Sequence, residues 1–162
     1  MADDNTLREA ASALPYGDYP VAGVATAGQP PSSAWRTLAE AGFRTVLDLR
    51  PSAEPRGYDE PAAVAAAGLE YVQVPVTPVT LGDADFDRVR EVLRESDTKP
   101  VVFHCASANR VGGLLIPYLV LDEKRPLNEA IEIAQRVGLR APQYASMALD
   151  YVKRHGGEGR AP

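Results

Sequence analysis

Apolar residues recur along this chain at two periods, and the switching between them lays out its elements. Leu7, Ala10, Ala11 and Leu14 form a helical stripe over residues 4–13, with Asp4 or Asn5 placed to cap it. Pro15, Gly17 and Pro20 break that helix. Residues 21–27 alternate small and apolar side chains and predict a first strand. Ser32 or Ser33 caps a helix whose apolar face is Trp35, Leu38 and Ala39, and Gly42 ends it. Residues 43–49 are apolar enough for a central strand. Asp59, Glu60 and Pro61 open an Ala-rich helix that Gly68 closes. Residues 71–76 predict another strand. Asp83 caps a helix over 84–96 with Phe86, Val89, Val92 and Leu93 inward. Residues 101–104 are the last strand. A nearly all-apolar helix over 111–121 follows, with a kink expected at Pro117. Two amphipathic helices cover 127–137 and 142–153, and the tail 156–162 reads as disordered.

Strands that alternate with helices pair in parallel and carry helices on both faces. The expected fold is α/β, with three layers (α/β/α) around a central, mostly parallel sheet of four to five strands. At 162 residues the chain is one domain. It divides into an N-terminal extension (1–19), a main unit (20–155) and the tail (156–162).

Composition narrows the functions. The net charge is −5 with no basic stripe, which argues against nucleic acid or an anionic membrane as partner. No apolar run approaches membrane-spanning length, and the acidic opening residues have no signal-peptide core, so a cytoplasmic enzyme is expected. One cysteine excludes an intrachain disulfide and a Cys-rich zinc site. No metal and no cofactor is expected.

That cysteine carries the chemistry. The run Val101-Val102-Phe103-His104-Cys105 ends a strand, and Ala106, Ser107, Ala108 and Asn109 lead through a tight turn to Arg110 and a helix. The N–H groups of such a turn and helix start converge on one point and hold an anion. The anion-binding set is Ala106, Ser107, Ala108, Asn109 and Arg110, with Cys105 at the mouth, where the same donors favour a thiolate. A lone cysteine at a strand end can also be a plain core side chain, but that role calls for no small-residue turn followed by Arg. His104 points to the opposite face from its neighbours and is expected to support the loop through a backbone hydrogen bond. Asp48 and Arg50 close a neighbouring strand, where an ion pair between them would steady the loop 51–57. Arg125 and Arg140 read as solvated helix-end cations.

The loop His104-Cys105 to Arg110 resembles the active-site loop of cysteine-dependent tyrosine and dual-specificity phosphatases. With Ala27-Gly28-Gln29-Pro30, Gly42-Phe43-Arg44-Thr45-Val46-Leu47-Asp48-Leu49-Arg50, Gly68-Leu69-Glu70-Tyr71 and Val74-Pro75-Val76 it is similar to a bacterial phosphatase-like domain family, found alone or fused to metallo-β-lactamase-type sulfur enzymes. The resemblance covers roughly residues 20–152 and implies a tyrosine-phosphatase-like fold. Three departures stand out. Four residues separate Cys105 from Arg110 where the phosphatases have five, a length that resembles rhodanese-type sulfurtransferases. The loop glycine of both families is Ala108, and the Ser or Thr after the arginine is Val111. Where the phosphatases carry a general acid, the candidates are Asp83 and Asp85, which also read as helix-capping residues.

Three readings follow, with the phosphatase first. Cys105 attacks a phosphate monoester while Arg110 and the loop hold its oxygens. Alternatively Cys105 takes a sulfane sulfur as a persulfide, or the loop is a non-catalytic anion-binding module. The partner is a phosphorylated or sulfur-carrying small molecule or protein. Oligomeric state is not legible.

Overall fold

Among the described residues five strands of four residues each form one sheet in the order β1-β2-β5-β3-β4. They are β1 (Asp18–Val21), β2 (Val24–Ala27), β3 (Thr45–Asp48), β4 (Glu70–Gln73) and β5 (Val101–His104). The computed structural model describes residues 2–157, so residues 158–162 of the tail expected to be disordered lie outside the described residues. Strands β2, β5, β3 and β4 run parallel, and only the edge strand β1 is antiparallel. The single strand expected over 21–27 is a hairpin instead. Gly23 turns the chain at φ +84°, and its N–H donates to the Tyr19 hydroxyl at 2.7 Å. Alternation of small residues cannot reveal such a turn, because Gly23 fits the strand pattern and the turn equally well.

Among the described residues seven α-helices accompany the strands: α1 (Asp4–Ser12), α2 (Ala34–Ala41), α3 (Glu60–Ala66), α4 (Asp83–Leu93), α5 (Asn109–Pro117), α6 (Leu127–Val137) and α7 (Pro142–Val152). They cover the sheet on both faces, giving the expected three layers. On one face Val102, Val46, Ala25 and Ala27 pack with Trp35, Leu38 and Val64 of α2 and α3, and with Leu7 and Ala11 of α1. The N-terminal extension is thus packed on the sheet, with Asp3 capping α1 in place of Asp4 or Asn5. On the other face Val101, Phe103, Leu47 and Leu49 meet α4 to α7. The two-residue period of β5 therefore sends Phe103 and Cys105 one way and Val102 and His104 the other.

Pro117 has no N–H to continue the helix. The chain does not break there; it widens into a π-type turn over Tyr118–Asp122, where Glu123 N–H donates to Tyr118 O at 3.0 Å. Among the described residues no helix is long and apolar enough to cross a membrane.

Candidate active site

The register puts His104 level with Ala27 of β2 and Asp48 of β3, so three strand ends open on one edge. From there the chain turns through Ala106 to Ala108 into α5. Gln29 N–H donates to Ala106 O at 3.0 Å, and Gly28 bridges to Ser107. A side chain at Gly28 would stand 2.7 Å from Ala106 O, which explains the glycine. From the opposite side Arg140 Nη2 donates to Ser107 Oγ at 2.8 Å. Asn109 Oδ1 accepts from the N–H groups of Arg140 (2.7 Å) and Ala141 (3.0 Å). Arg140 is exposed, as expected, and also braces the loop; Arg125 pairs with Glu129. Among the described residues the N–H groups of Ala106 and Ser107 meet no backbone acceptor. Those of Asn109 and Arg110 belong to the first turn of α5, where none exists.

Ala108 takes the left-handed turn, at φ +66°, and Asn109 is already helical. Its methyl is accommodated by Gly138, where a side chain would stand 2.8 Å from Ala108 Cβ. The left-handed conformation costs an alanine about 1 kcal/mol. Ala108→Gly is expected to raise stability by about that amount, read as a higher urea midpoint with unchanged slope. A lower midpoint would show that the methyl contributes more by packing than it loses by strain.

Cys105 is a free thiol, 1% exposed, at the floor of this turn. Burial alone suits a core side chain as well as a nucleophile, and the Arg110 guanidinium is close enough for its charge to act on the thiol. Arg110 is held end-on by Glu54, with Nη1 at 2.8 Å and Nη2 at 3.1 Å from the two carboxylate oxygens, and Nη1 also donates to Val76 O at 3.1 Å. Burial pulls the guanidinium pKa down, but the Glu54 hydrogen bonds and the charges of Cys105 and Glu54 push it up. Glu54 is in turn fixed by Arg50 Nε at 2.8 Å. The Arg110 hydrogen bonds chiefly hold its carboxyl below the usual range, and Arg50 adds to this, so Glu54 is an ionised acceptor.

On the other face of β5, His104 Nε2 lies 2.6 Å from Glu60 Oε2, and its Nδ1 is 3.3 Å from Cys105 O. The imidazole thus carries a carboxylate partner from α3 besides the expected backbone contact. Asp48 pairs with Arg56 (2.8 Å) and accepts from the Tyr71 hydroxyl. Arg56 Nε is 3.2 Å from Glu60 Oε1, off the line a hydrogen bond requires. Gln29 ties the two layers together, donating to Glu60 at 2.8 Å and accepting from Arg50 at 2.9 Å. Asp48, Glu60 and His104 bring three potential ligand atoms within 4.8 Å of one another. The buried Arg56 guanidinium already occupies the charge position a cation would take there.

Asp48 and Arg50 contact the loop 51–57 through different partners from the expected ion pair. Asp48 Oδ1 accepts only the Arg50 backbone N–H (2.8 Å), while the side chains reach Arg56 and Glu54. Asp83 and Asp85 sit at the start of α4. The cap residue is Gly82, whose N–H donates to Asp85 Oδ2 at 2.9 Å. Asp83 is chelated by Arg154 at 2.8 Å on each oxygen, and those hydrogen bonds hold its carboxyl below the usual range.

A family model described as a DSP-PTPase phosphatase fused to NAD+ kinase matches residues 20–146. The chain belongs to that phosphatase family. Of the solved structures similar to it, a putative phosphatase (DUF442) from Shewanella putrefaciens has a TM-score of 0.77 at 19% identity, covering 91% of this chain and 98% of that one. TpbA of P. aeruginosa in complex with pTyr has a TM-score of 0.65 at 18% identity, covering 98% and 91%. The core catalytic domain of a PP-IP phosphatase from S. cerevisiae has a TM-score of 0.69 at 17% identity, covering 91% and 94%. These establish the tyrosine-phosphatase-like fold. A beta-lactamase hydrolase-like protein of Agrobacterium fabrum is 31% identical over 100 residues, 59% of this chain and 23% of that protein. The chain thus spans about a quarter of the length of the curated relatives it matches, which agrees with the fusion the sequence resembles.

As a member of this phosphatase family, the chain places the arginine of its loop on a carboxylate that sequence reading missed. Glu54 lies in a polar turn between Pro51 and Pro55 and carries no local pattern of its own. Gln29 and Glu60 were visible only as part of a motif and as a helix-start acid. What joins them is the alignment of β2, β3 and β5 at one edge.

Proposed function

We propose that the chain is a cysteine-based phosphatase that hydrolyses phosphate monoesters through Cys105. The observation that carries this reading is the Arg110 guanidinium. It is fixed by Glu54 and Val76 O at the start of α5, with its charge coupled to Cys105. Arg110 and the N–H groups of the loop hold the phosphoryl oxygens. The Cys105 thiolate attacks phosphorus, and the bond to the leaving oxygen breaks with its electron pair. Water then attacks phosphorus, frees phosphate and returns the thiolate.

The leaving group follows from the acids. Asp83 is engaged by Arg154, Asp85 by the Gly82 N–H, and Glu54 is held ionised. An ester whose oxygen departs without a proton from these groups suits the site best, which favours aryl phosphates. TpbA with bound pTyr supports the same class. The substrate is a phosphorylated small molecule or protein, and the chain works in the cytoplasm, where reducing conditions keep a lone Cys105 as a thiol.

The test sets phosphate release from aryl phosphates beside thiocyanate formation from thiosulfate and cyanide. Phosphate release should dominate and fall steeply as the leaving-group pKa rises. Thiocyanate formation without phosphate release would replace this reading with sulfur transfer.

A further inference from the structure

Tyr144 differs from the other buried tyrosines in one respect. Tyr19, Tyr118 and Tyr151 each donate their hydroxyl to a carboxylate (Asp4, Glu123 and Asp87), as the half-buried Tyr71 does to Asp48. Tyr144 is 5% exposed, yet its hydroxyl has no hydrogen-bond partner among the described residues. Nor is it one of the sealed polar atoms, which are Thr26 Oγ1 and Arg56 Nε, so the oxygen keeps contact with solvent. A buried phenol whose oxygen is unpartnered yet not sealed from solvent is aimed at something.

Its place in the fold says at what. Tyr144 lies in the first turn of α7, whose cap residue Ala141 is bound through its N–H to Asn109 of the loop. Helical side chains lean toward the N-terminus of their helix, and here that end abuts the loop. Gly113, one turn after Arg110 on α5, gives the ring its seat, since a side chain there would stand 2.8 Å from Tyr144 Cβ. Burial, together with the charges of Cys105 and Glu54, raises the hydroxyl's pKa against the pull of Arg110. The group is therefore a protonated donor, within electrostatic reach of the thiol, the guanidinium and the carboxylate that holds it.

The loop lacks a donor that such a group could replace. Four residues between Cys105 and Arg110 supply one N–H fewer than five would, and Val111 offers no hydroxyl. We propose that the Tyr144 hydroxyl donates a hydrogen bond to an equatorial oxygen of the phosphoryl group, completing the ring of donors from α7. This rests on the phosphatase reading for its turnover arm, but its binding arm needs only the anion.

The experiment compares Tyr144→Phe with the unaltered chain, and Cys105→Ser with Cys105→Ser plus Tyr144→Phe. In the first pair, turnover of aryl phosphates should fall about ten- to a hundredfold, by the same factor for every leaving group. In the second, affinity for inorganic phosphate measured by calorimetry should fall at least about fivefold, the order of one hydrogen bond. The melting temperature should not drop, because the lost oxygen satisfied nothing in the free protein. Unchanged phosphate affinity overturns the proposal. So does a loss of turnover that grows with leaving-group pKa, which would make Tyr144 a donor to the leaving oxygen. If no phosphate ester is turned over but phosphate affinity still depends on Tyr144, the phosphatase reading fails and the anion donor stands.

Discussion

Cys105→Ser is expected to reduce phosphate release from aryl phosphates by at least about 10³-fold, because a serine hydroxyl at this site has no base to activate it. The imidazole nearest in sequence, His104, faces the other side of β5 and is taken by Glu60. Binding should survive. The loop N–H groups and Arg110 are untouched by the exchange of sulfur for oxygen, and Glu54 with Val76 O still holds the guanidinium. A calorimetric titration of the variant with phosphate should therefore give an affinity close to that of the native chain. Residual turnover within tenfold of native would mean that Cys105 is the core side chain its 1% exposure also permits.

The largest expected loss of stability comes from the layer beneath the loop. Asp48 and Arg56 are paired with side chains 0% and 7% exposed, and Asp48 also accepts from Tyr71. Asp48→Ala leaves a buried guanidinium without its nearest anion and a phenol without its acceptor. Breaking a buried pair from one side costs about 3–5 kcal/mol, read as a lower urea midpoint at neutral pH. Arg56→Met combined with Asp48→Leu should recover part of that loss, since a buried pair replaced from both sides removes the stranded charge. If the single variant loses less than about 1 kcal/mol, on the scale of an exposed pair, water reaches Arg56 in solution.

The same layer sets the acid limit. Burial acts to raise the Glu60 carboxyl, but the hydrogen bond and charge of His104, with Gln29 and Arg56, bring it below its ordinary value of 4.5. Its contribution to stability is therefore complete above that value and is lost as the pH falls through the lower folded value.

Apart from the β1–β2 hairpin, the chain's own pattern determined the order of elements, the three layers and the turn from Cys105 to Arg110. Each of these is local. A period of 3.6 or 2 is written within ten residues, and Cys105, Arg110 and the small residues between them lie on one connected turn. Ala108 in a glycine position was legible for the same reason, and its φ of +66° is the strained turn that the loop requires. The resemblance carried the rest of the fold because its segments fall at strand ends that any parallel sheet brings to one edge.

Only the tertiary structure decided which charges meet. Arg110 finds Glu54 across 56 residues, and His104 finds Glu60 across 44. Asp48 bypasses the neighbouring Arg50 side chain for Arg56. Arg140, read as solvated, braces Ser107. Tyr144, read as one more apolar position of α7, is a buried tyrosine whose hydroxyl has no partner among the described residues. A charged or hydroxyl side chain fits many local patterns equally well, since its energy depends on what lies at its tip. That tip is set by the register of β2, β5 and β3 and by the way α7 docks on α5, which are non-local packing results.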